Sequence, residues 1–133
     1  MKMIMLGTGN ATVTQCYNTC FVLQENDRYF LVDGGGGNGL LHQLKAAQLN
    51  WQDMRTIFVT HKHVDHLLGI LWMVRMICQN MSRGNYKGEA VIYGHEEVIR
   101  LIRSMSEMLF AQKEMQYLDE KLHLIPVADG EEK

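Results

Sequence analysis

Three imidazoles and a carboxylate fall within six residues, at His61, His63, Asp65 and His66. They follow an apolar, β-rich run, Thr56-Ile57-Phe58-Val59-Thr60. In an extended segment the side chains at i and i+2 point the same way, so His61 and His63 can converge on one cation. Asp65 and His66 come as the chain turns into Leu67-Leu68-Gly69-Ile70-Leu71-Trp72, where they can hold a second cation nearby. Neutral imidazole with carboxylate oxygen is a ligand set that suits Zn²⁺. A lone histidine is usually a surface or satisfied core residue, and His42, His95 and His123 read that way. Burying this many polar groups without a partner would be costly, which separates the cluster from those three.

The elements that must position the cluster alternate strand and helix. Residues 1–6 and 19–24 predict strands, and the turn Glu25-Asn26-Asp27-Arg28 joins the second to residues 29–32 as an antiparallel hairpin. Apolar residues at 40, 41, 44 and 47 give helical spacing over residues 40–48. Residues 56–60 predict a strand, 67–79 a nearly all-apolar buried helix, 80–88 a polar loop and 90–93 a short strand. From 96 to about 117, apolar residues at 98, 101, 102, 105, 108 and 109 form one stripe, with Met105, Met108 and Met115 read as core. Residues 122–127 alternate. No repeat, low-complexity tract or linker interrupts the chain, so the pattern predicts an α/β layered fold.

The run Asp33-Gly34-Gly35-Gly36-Gly37-Asn38-Gly39 precedes a helix, and its amides could cradle a phosphate there. It lacks the Lys-Ser/Thr of a P-loop and the spacing of a dinucleotide fingerprint. Close backbone approach and tight turning beside the histidine loop are the favoured role of its glycines. Asp33 ends a strand facing that loop. It either orients a ligand histidine or the loop backbone from behind, or serves as a helix N-cap or turn residue. Asn18 reads as structural.

The pattern H-x-H-x-D-H resembles the metal signature of the metallo-β-lactamase superfamily, and the resemblance extends from Met1 onward. Met3-Ile4-Met5-Leu6-Gly7-Thr8-Gly9-Asn10 is similar to its first strand and turn, and Phe30-Leu31-Val32-Asp33-Gly34-Gly35 to the strand ending in its first aspartate. The resemblance is closest to the ribonuclease Z-like branch. It implies one domain over residues 1–133, the N-terminal half of an αββα sandwich with a mixed sheet and flanking helices. It implies two Zn²⁺ ions per complete site, with His61, His63, Asp65 and His66 as ligands and Asp65 as the catalytic proton acceptor. An iron-dependent oxidoreductase branch places glutamate where this chain has His63, so zinc hydrolysis is expected. The expected activity, when complete, is that of a dinuclear zinc phosphodiesterase acting on RNA or another phosphodiester. Thioesters and lactones are open to the same chemistry, and the alternative is an inactive truncated domain that folds and self-associates.

In that superfamily a third histidine, a bridging aspartate and a last histidine lie well downstream of H-x-H-x-D-H. Here only His95 and His123 follow. His95 resembles the family's strand-and-turn before a helix, and His123 is followed by no further motif. The sequence stops at Glu131-Glu132-Lys133, where the strand leading to the third histidine is expected. The resemblance therefore implies an absent C-terminal half, incomplete or absent zinc in this chain, and a homodimer or swapped assembly that covers the exposed sheet. The glycine-only loop departs from the Cys-Gly-Glu-Gly-Thr of ribonuclease Z, which counts against transfer-RNA processing specifically.

Composition is compatible with all of this. The chain has 133 residues, 47% of them hydrophobic, enough for a real core. A net charge of −2 neither requires nor excludes a nucleic-acid substrate. Cys16, Cys20 and Cys78 are odd in number and lack C-x-x-C spacing, which predicts reduced thiols in a cytoplasmic protein. The N-terminus has no secretory pattern, and no stretch reaches the ~18 apolar residues of a membrane span.

Overall fold

Alternating burial along the strands gives the sheet one covered and one open face. The computed structural model describes residues 1–10, 12 and 14–128. Six strands form one mixed sheet in chain order: β1 (Lys2–Gly7), β2 (Cys20–Glu25), β3 (Arg28–Val32), β4 (Thr56–Val59), β5 (Ala90–Gly94) and β6 (Leu122–Pro126). β1, β2 and β3 pair antiparallel, with the expected hairpin between β2 and β3, and β3 through β6 pair parallel. Parallel neighbours need crossovers. These are α1 (Gly39–Ala46) with a 3-10 turn (Trp51–Asp53), then α2 (Val64–Ser82), then α3 (Glu96–Leu109) with the short α4 (Gln112–Met115). The result is the expected α/β arrangement of mixed sheet and flanking helices.

Leu6, Val22, Leu31, Ile57, Val59, Ile92, Leu122 and Leu124 point to the covered face and are buried. Against them α2 places Leu67, Ile70, Met73, Val74, Ile77 and Met81, also buried. Fully burying each such side chain is worth about 1.5–3 kcal/mol. On the other face the strand register lines up two rows. One runs Met5, Phe21, Val32, Phe58, Tyr93, Ile125, and the other Met3, Leu23, Phe30, Thr56, Val91, His123. Val32 apart, these residues are half-buried or exposed, so the described chain leaves a broad, mostly apolar sheet face open.

Three boundaries differ from the sequence reading, each for a local reason. α2 begins at Val64, not at 67, because the His63 carbonyl accepts the amides of His66 and Leu67 (2.9 and 3.0 Å). Asp65 thereby sits in the first helical turn, where the helix dipole favours a negative charge. The loop expected from residue 80 starts after Ser82; Gly84, at φ +75°, ends the helix with its amide on the Met81 carbonyl. The single helix expected from 96 to about 117 breaks at Phe110 and Ala111, both extended. α4 then turns back onto α2, where Gln79 meets Glu114. The last turn of α3 is left in solvent, so Met108 and Leu109 are 84% and 62% exposed and not core. The Trp51–Asp53 turn is too short to announce itself by periodicity. Glu131, Glu132 and Lys133, where the sequence reading ends its partial unit, lie outside the described residues.

Among the described residues the three cysteines are free thiols, and burial pushes Cys20 and Cys78 up to about 12. No helix among them is long and apolar enough to cross a membrane.

Candidate metal centre

Asp33 is the hinge of the site. Its amide still follows the sheet, donating to the Phe58 carbonyl (2.9 Å), but its φ is +62°, a left-handed conformation that aspartate tolerates better than most residues. The turn aims a carboxylate that is only 5% exposed at the end of β4. Oδ1 accepts the Thr60 amide at 2.7 Å, which is why β4 stops at Val59: the next amide leaves the ladder for this carboxylate. Oδ2 accepts the Thr60 hydroxyl and His66 Nδ1, each at 2.7 Å. Asp33 is thus a turn residue with φ +62°, and its carboxylate hydrogen-bonds the His66 ring.

Counting protons fixes which ring nitrogens are free. An ionised carboxylate only accepts, so His66 Nδ1 carries the proton and Nε2 the lone pair. The one Thr60 hydroxyl proton also goes to Asp33. His61 Nδ1, 2.8 Å from that hydroxyl oxygen, must therefore donate to it, which leaves the lone pair of His61 on Nε2. Burial and the neighbouring imidazoles of His66 and His63 lower the pKa of His61, keeping it neutral and able to ligate. One buried carboxylate sets two tautomers, one directly and one through Thr60.

The four predicted ligands are neighbours in pairs. The His61 ring stands edge-on to His63 at 4.6 Å between centroids and tilted against His66 at 3.9 Å. His66 Nε2 lies 3.2 Å from Asp65 Oδ2. With Nδ1 of His66 donating to Asp33, that contact sets one acceptor against another, and only a proton or a metal cation between them reconciles it. The donor set therefore fits a cation, but only in part. Among the described residues no three His, Cys, Asp or Glu side chains meet as one cage, whereas a catalytic zinc takes three protein ligands and a water. Lys62, between the histidines, turns away to pair with Glu97 at the start of α3.

The glycine loop holds this arrangement by backbone contact. Gly34 donates to the His66 carbonyl (3.0 Å) and Gly69 to the Gly35 carbonyl (2.9 Å). A Cβ on Gly69 would fall 1.8 Å from the Gly34 oxygen, so the loop and α2 meet with no room for a side chain. The Gly36 amide donates to Asn18 Oδ1 (3.1 Å). The Tyr17 hydroxyl reaches the Gly34 and Gly37 carbonyls (2.6 and 2.8 Å), and burial raises it to about 12, keeping it a donor. Close backbone approach is what these contacts show.

Three contributors escaped the sequence reading: Thr60, Tyr17 and Gly69. The signal for Thr60 was its place between the strand and the first histidine; a glycine amid an all-apolar helix was the signal for Gly69. The remaining histidines stand apart. His95 is exposed at the N-cap of α3, His123 pairs with Glu89 (2.9 Å) on β6, and His42 lies on α1.

A family model described as Anti-Pycsar protein Apyc1 matches residues 1–132. The chain belongs to the Apyc1 family. It also resembles ribonuclease Z, as the H-x-H-x-D-H motif implied: that of Acaryochloris marina (strain MBIC 11017) is 30% identical over 84% of this chain and 35% of its own length. The ribonuclease Z of Pyrococcus abyssi is 32% identical over 79% of this chain and 33% of its own. Human tRNase Z, short form, superposes with a TM-score of 0.67 at 27% identity, covering 84% of this chain and 40% of that one. The metallo-β-lactamase fold protein YhfI of Bacillus subtilis reaches 0.70 at 17% identity, over 97% of this chain and 47% of that one, a likeness of fold. The metallo-β-lactamase superfamily is thereby established for this Apyc1-family chain. It spans about a third of the length of the curated relatives it matches, and about the N-terminal half of the fold.

Proposed function

We propose that this chain carries the first metal-holding half of a zinc-dependent phosphodiester hydrolase. The observation that carries the reading is the contact of His66 Nε2 with Asp65 Oδ2, two acceptors held together by a buried Asp33 that has already taken the other His66 nitrogen. The ribonuclease Z relatives support a phosphodiester, RNA among them, as the substrate class.

His61 and His63 would hold one cation and Asp65 and His66 another. Zinc, when bound, supplies Lewis acidity and brings the pKa of water toward ~7. The chain's own residues do the rest. Asp33 and Thr60 place the ring lone pair of neutral His61 and His66 on Nε2 and fix its direction. Asp65, at the end of a helix dipole, accepts a proton at its carboxylate as the attacking water is deprotonated. The open sheet face, with Met3 and Met5 exposed and the rest, Val32 apart, half-buried, supports a homodimer or swapped assembly as the working form, because an uncovered apolar face is the usual mark of an interface.

The test is hydrolysis of bis(p-nitrophenyl) phosphate, a small cyclic phosphodiester and single-stranded RNA by a zinc-loaded form in which this chain is joined to the second half of the fold. Asp65→Ala should cost several orders of magnitude, the proton-acceptor role alone being worth ~10²–10⁴. His95→Ala should stay within a few fold. Equal losses at the two positions would show that His95 had been misplaced among the structural residues.

A further inference from the structure

A recess of about 320 Å³ opens beside the metal-centre loop, between α2 and the end of α3. Gly36 and Gly37 form its inner wall, and Leu68, Trp72, Arg75 and Phe110 complete the lining that matters here. We propose that this recess is a nucleotide subsite, in which Trp72 stacks on a base and Arg75 pairs with a phosphate. The proposal rests on the phosphodiester reading of the adjacent centre and adds what recognises the substrate.

Position comes first. A Cβ on Gly36 would lie 3.9 Å from Asp65 Cα, so the inner wall of the recess abuts the cluster. Leu68, Trp72 and Arg75 are three, seven and ten residues beyond Asp65, one face of α2. At 1.5 Å per residue, Trp72 is about 10 Å along the helix axis from Asp65, and helical side chains lean back toward the N-terminus. One or two nucleotides bridge such a span.

Charge comes second. Arg75 is half-buried with its guanidinium 5.9 Å over the Phe110 ring, and among the described residues no carboxylate pairs with it. Arg75 is the one cation in the lining of the recess among the described residues. A guanidinium held in place with its fork unused is a phosphate receptor. The loop amides do not compete for that role, since Gly36 and Gly37 already donate to Asn18 and Tyr17.

Chemistry comes third. Trp72 is 38% exposed although it sits among apolar neighbours on a buried helix. An aromatic face beside a cation, next to a phosphodiester centre, is the sequence-tolerant way to hold a single-stranded nucleotide, because every base has a π-face. Apolar filling alone would not call for Arg75.

The experiment titrates the whole chain with adenosine 5′-monophosphate, ribose 5-phosphate and adenosine, reading tryptophan fluorescence and equilibrium dialysis. The monophosphate should quench a signal that Trp72→Phe removes, and ribose 5-phosphate and adenosine should each bind at least several-fold more weakly. Trp72→Ala should weaken the monophosphate about five- to hundredfold, the range of base–aromatic stacking, while Trp72→Phe retains most of the affinity. Arg75→Gln should bring the monophosphate down to adenosine and flatten the salt dependence. Unchanged affinity in Trp72→Ala and Arg75→Gln would overturn the proposal. So would quenching that follows protein concentration and ignores nucleotide, which would assign the patch to a second copy. The two readings fail separately. Monophosphate binding that persists in a protein hydrolysing no phosphodiester would sink the hydrolase and leave the recess. Hydrolysis with KM unmoved by Trp72→Ala and Arg75→Gln would do the reverse.

Discussion

Replacing Asp33 separates orientation from mere turning. Its carboxylate accepts three part-buried bonds, from the Thr60 amide, the Thr60 hydroxyl and His66 Nδ1, all at 2.7 Å. Bonds to a charged acceptor are worth about 1.5–3 kcal/mol each, but the Thr60 hydroxyl can turn to another partner. Asp33→Ala leaves an amide and an imidazole N–H unpaired and places alanine at φ +62°, itself worth about 1–2 kcal/mol. The expected loss is on the order of 3–5 kcal/mol, a large share of a domain's ~5–15. Asp33→Asn keeps the left-handed turn and an acceptor for the Thr60 amide. It presents an NH₂ to His66, however, so the ring must move its proton to Nε2, the atom a cation would need. Stability should fall by about 1–3 kcal/mol and zinc affinity ~10–100-fold. Urea unfolding in chelator gives the first quantity, a zinc competition titration the second, and ¹⁵N chemical shifts of the His66 ring report the tautomer. An Asp33→Asn protein with the wild-type tautomer and zinc affinity within twofold would refute the reasoning.

Gly69→Ala should destabilise the chain by more than about 3 kcal/mol, since its Cβ would meet the Gly34 oxygen at 1.8 Å, whereas Gly37→Ala, with nothing within 4 Å, should stay within about 0.5 kcal/mol in the same urea assay. The Arg103 guanidinium holds the Asp119 carboxyl below its ordinary pKa through a paired contact at the surface. A depressed folded pKa stabilises above the unfolded value and is lost as pH falls through the folded one. Asp119→Asn, which keeps the φ of +75°, should therefore cost about 0.2–1 kcal/mol at pH 7, with the difference from wild type closing as the pH falls below the ordinary carboxylate range in thermal melts. Sedimentation equilibrium at tens of micromolar should show more than the 15.3 kDa of one chain; a monomer of that mass with a cooperative melt would mean that the open sheet face needs no cover.

The cluster stands out in the sequence because H-x-H-x-D-H packs residue types suited to metal chemistry at close spacing, and the structure brings their rings side by side. The hairpin was legible from its turn, and α2 from its apolar content. What stayed hidden depends on contacts between distant segments. Tyr17 acts on glycines seventeen and twenty residues away, and nothing in its neighbours points there. Thr60 looks like the last residue of a strand until Asp33 claims its amide. The break between α3 and α4 is invisible to periodicity, because the apolar spacing continues through Phe110 while the backbone turns extended. The core reading of Met108 failed for the same reason: spacing reports a helical face but not where the partner surface ends.

The central claim is that His61, His63, Asp65 and His66 are the metal ligands of this chain. X-ray absorption spectroscopy of the zinc-loaded protein, alone and with His63→Ala and His66→Ala, tests it most directly. The account predicts a nitrogen- and oxygen-bound zinc whose imidazole scattering falls in each variant, with sulfur absent from the shell because Cys20 and Cys78 are buried as protonated thiols and the exposed Cys16 meets Thr8 outside the cluster. Zinc bound with unchanged affinity and an unchanged shell in both variants would contradict it.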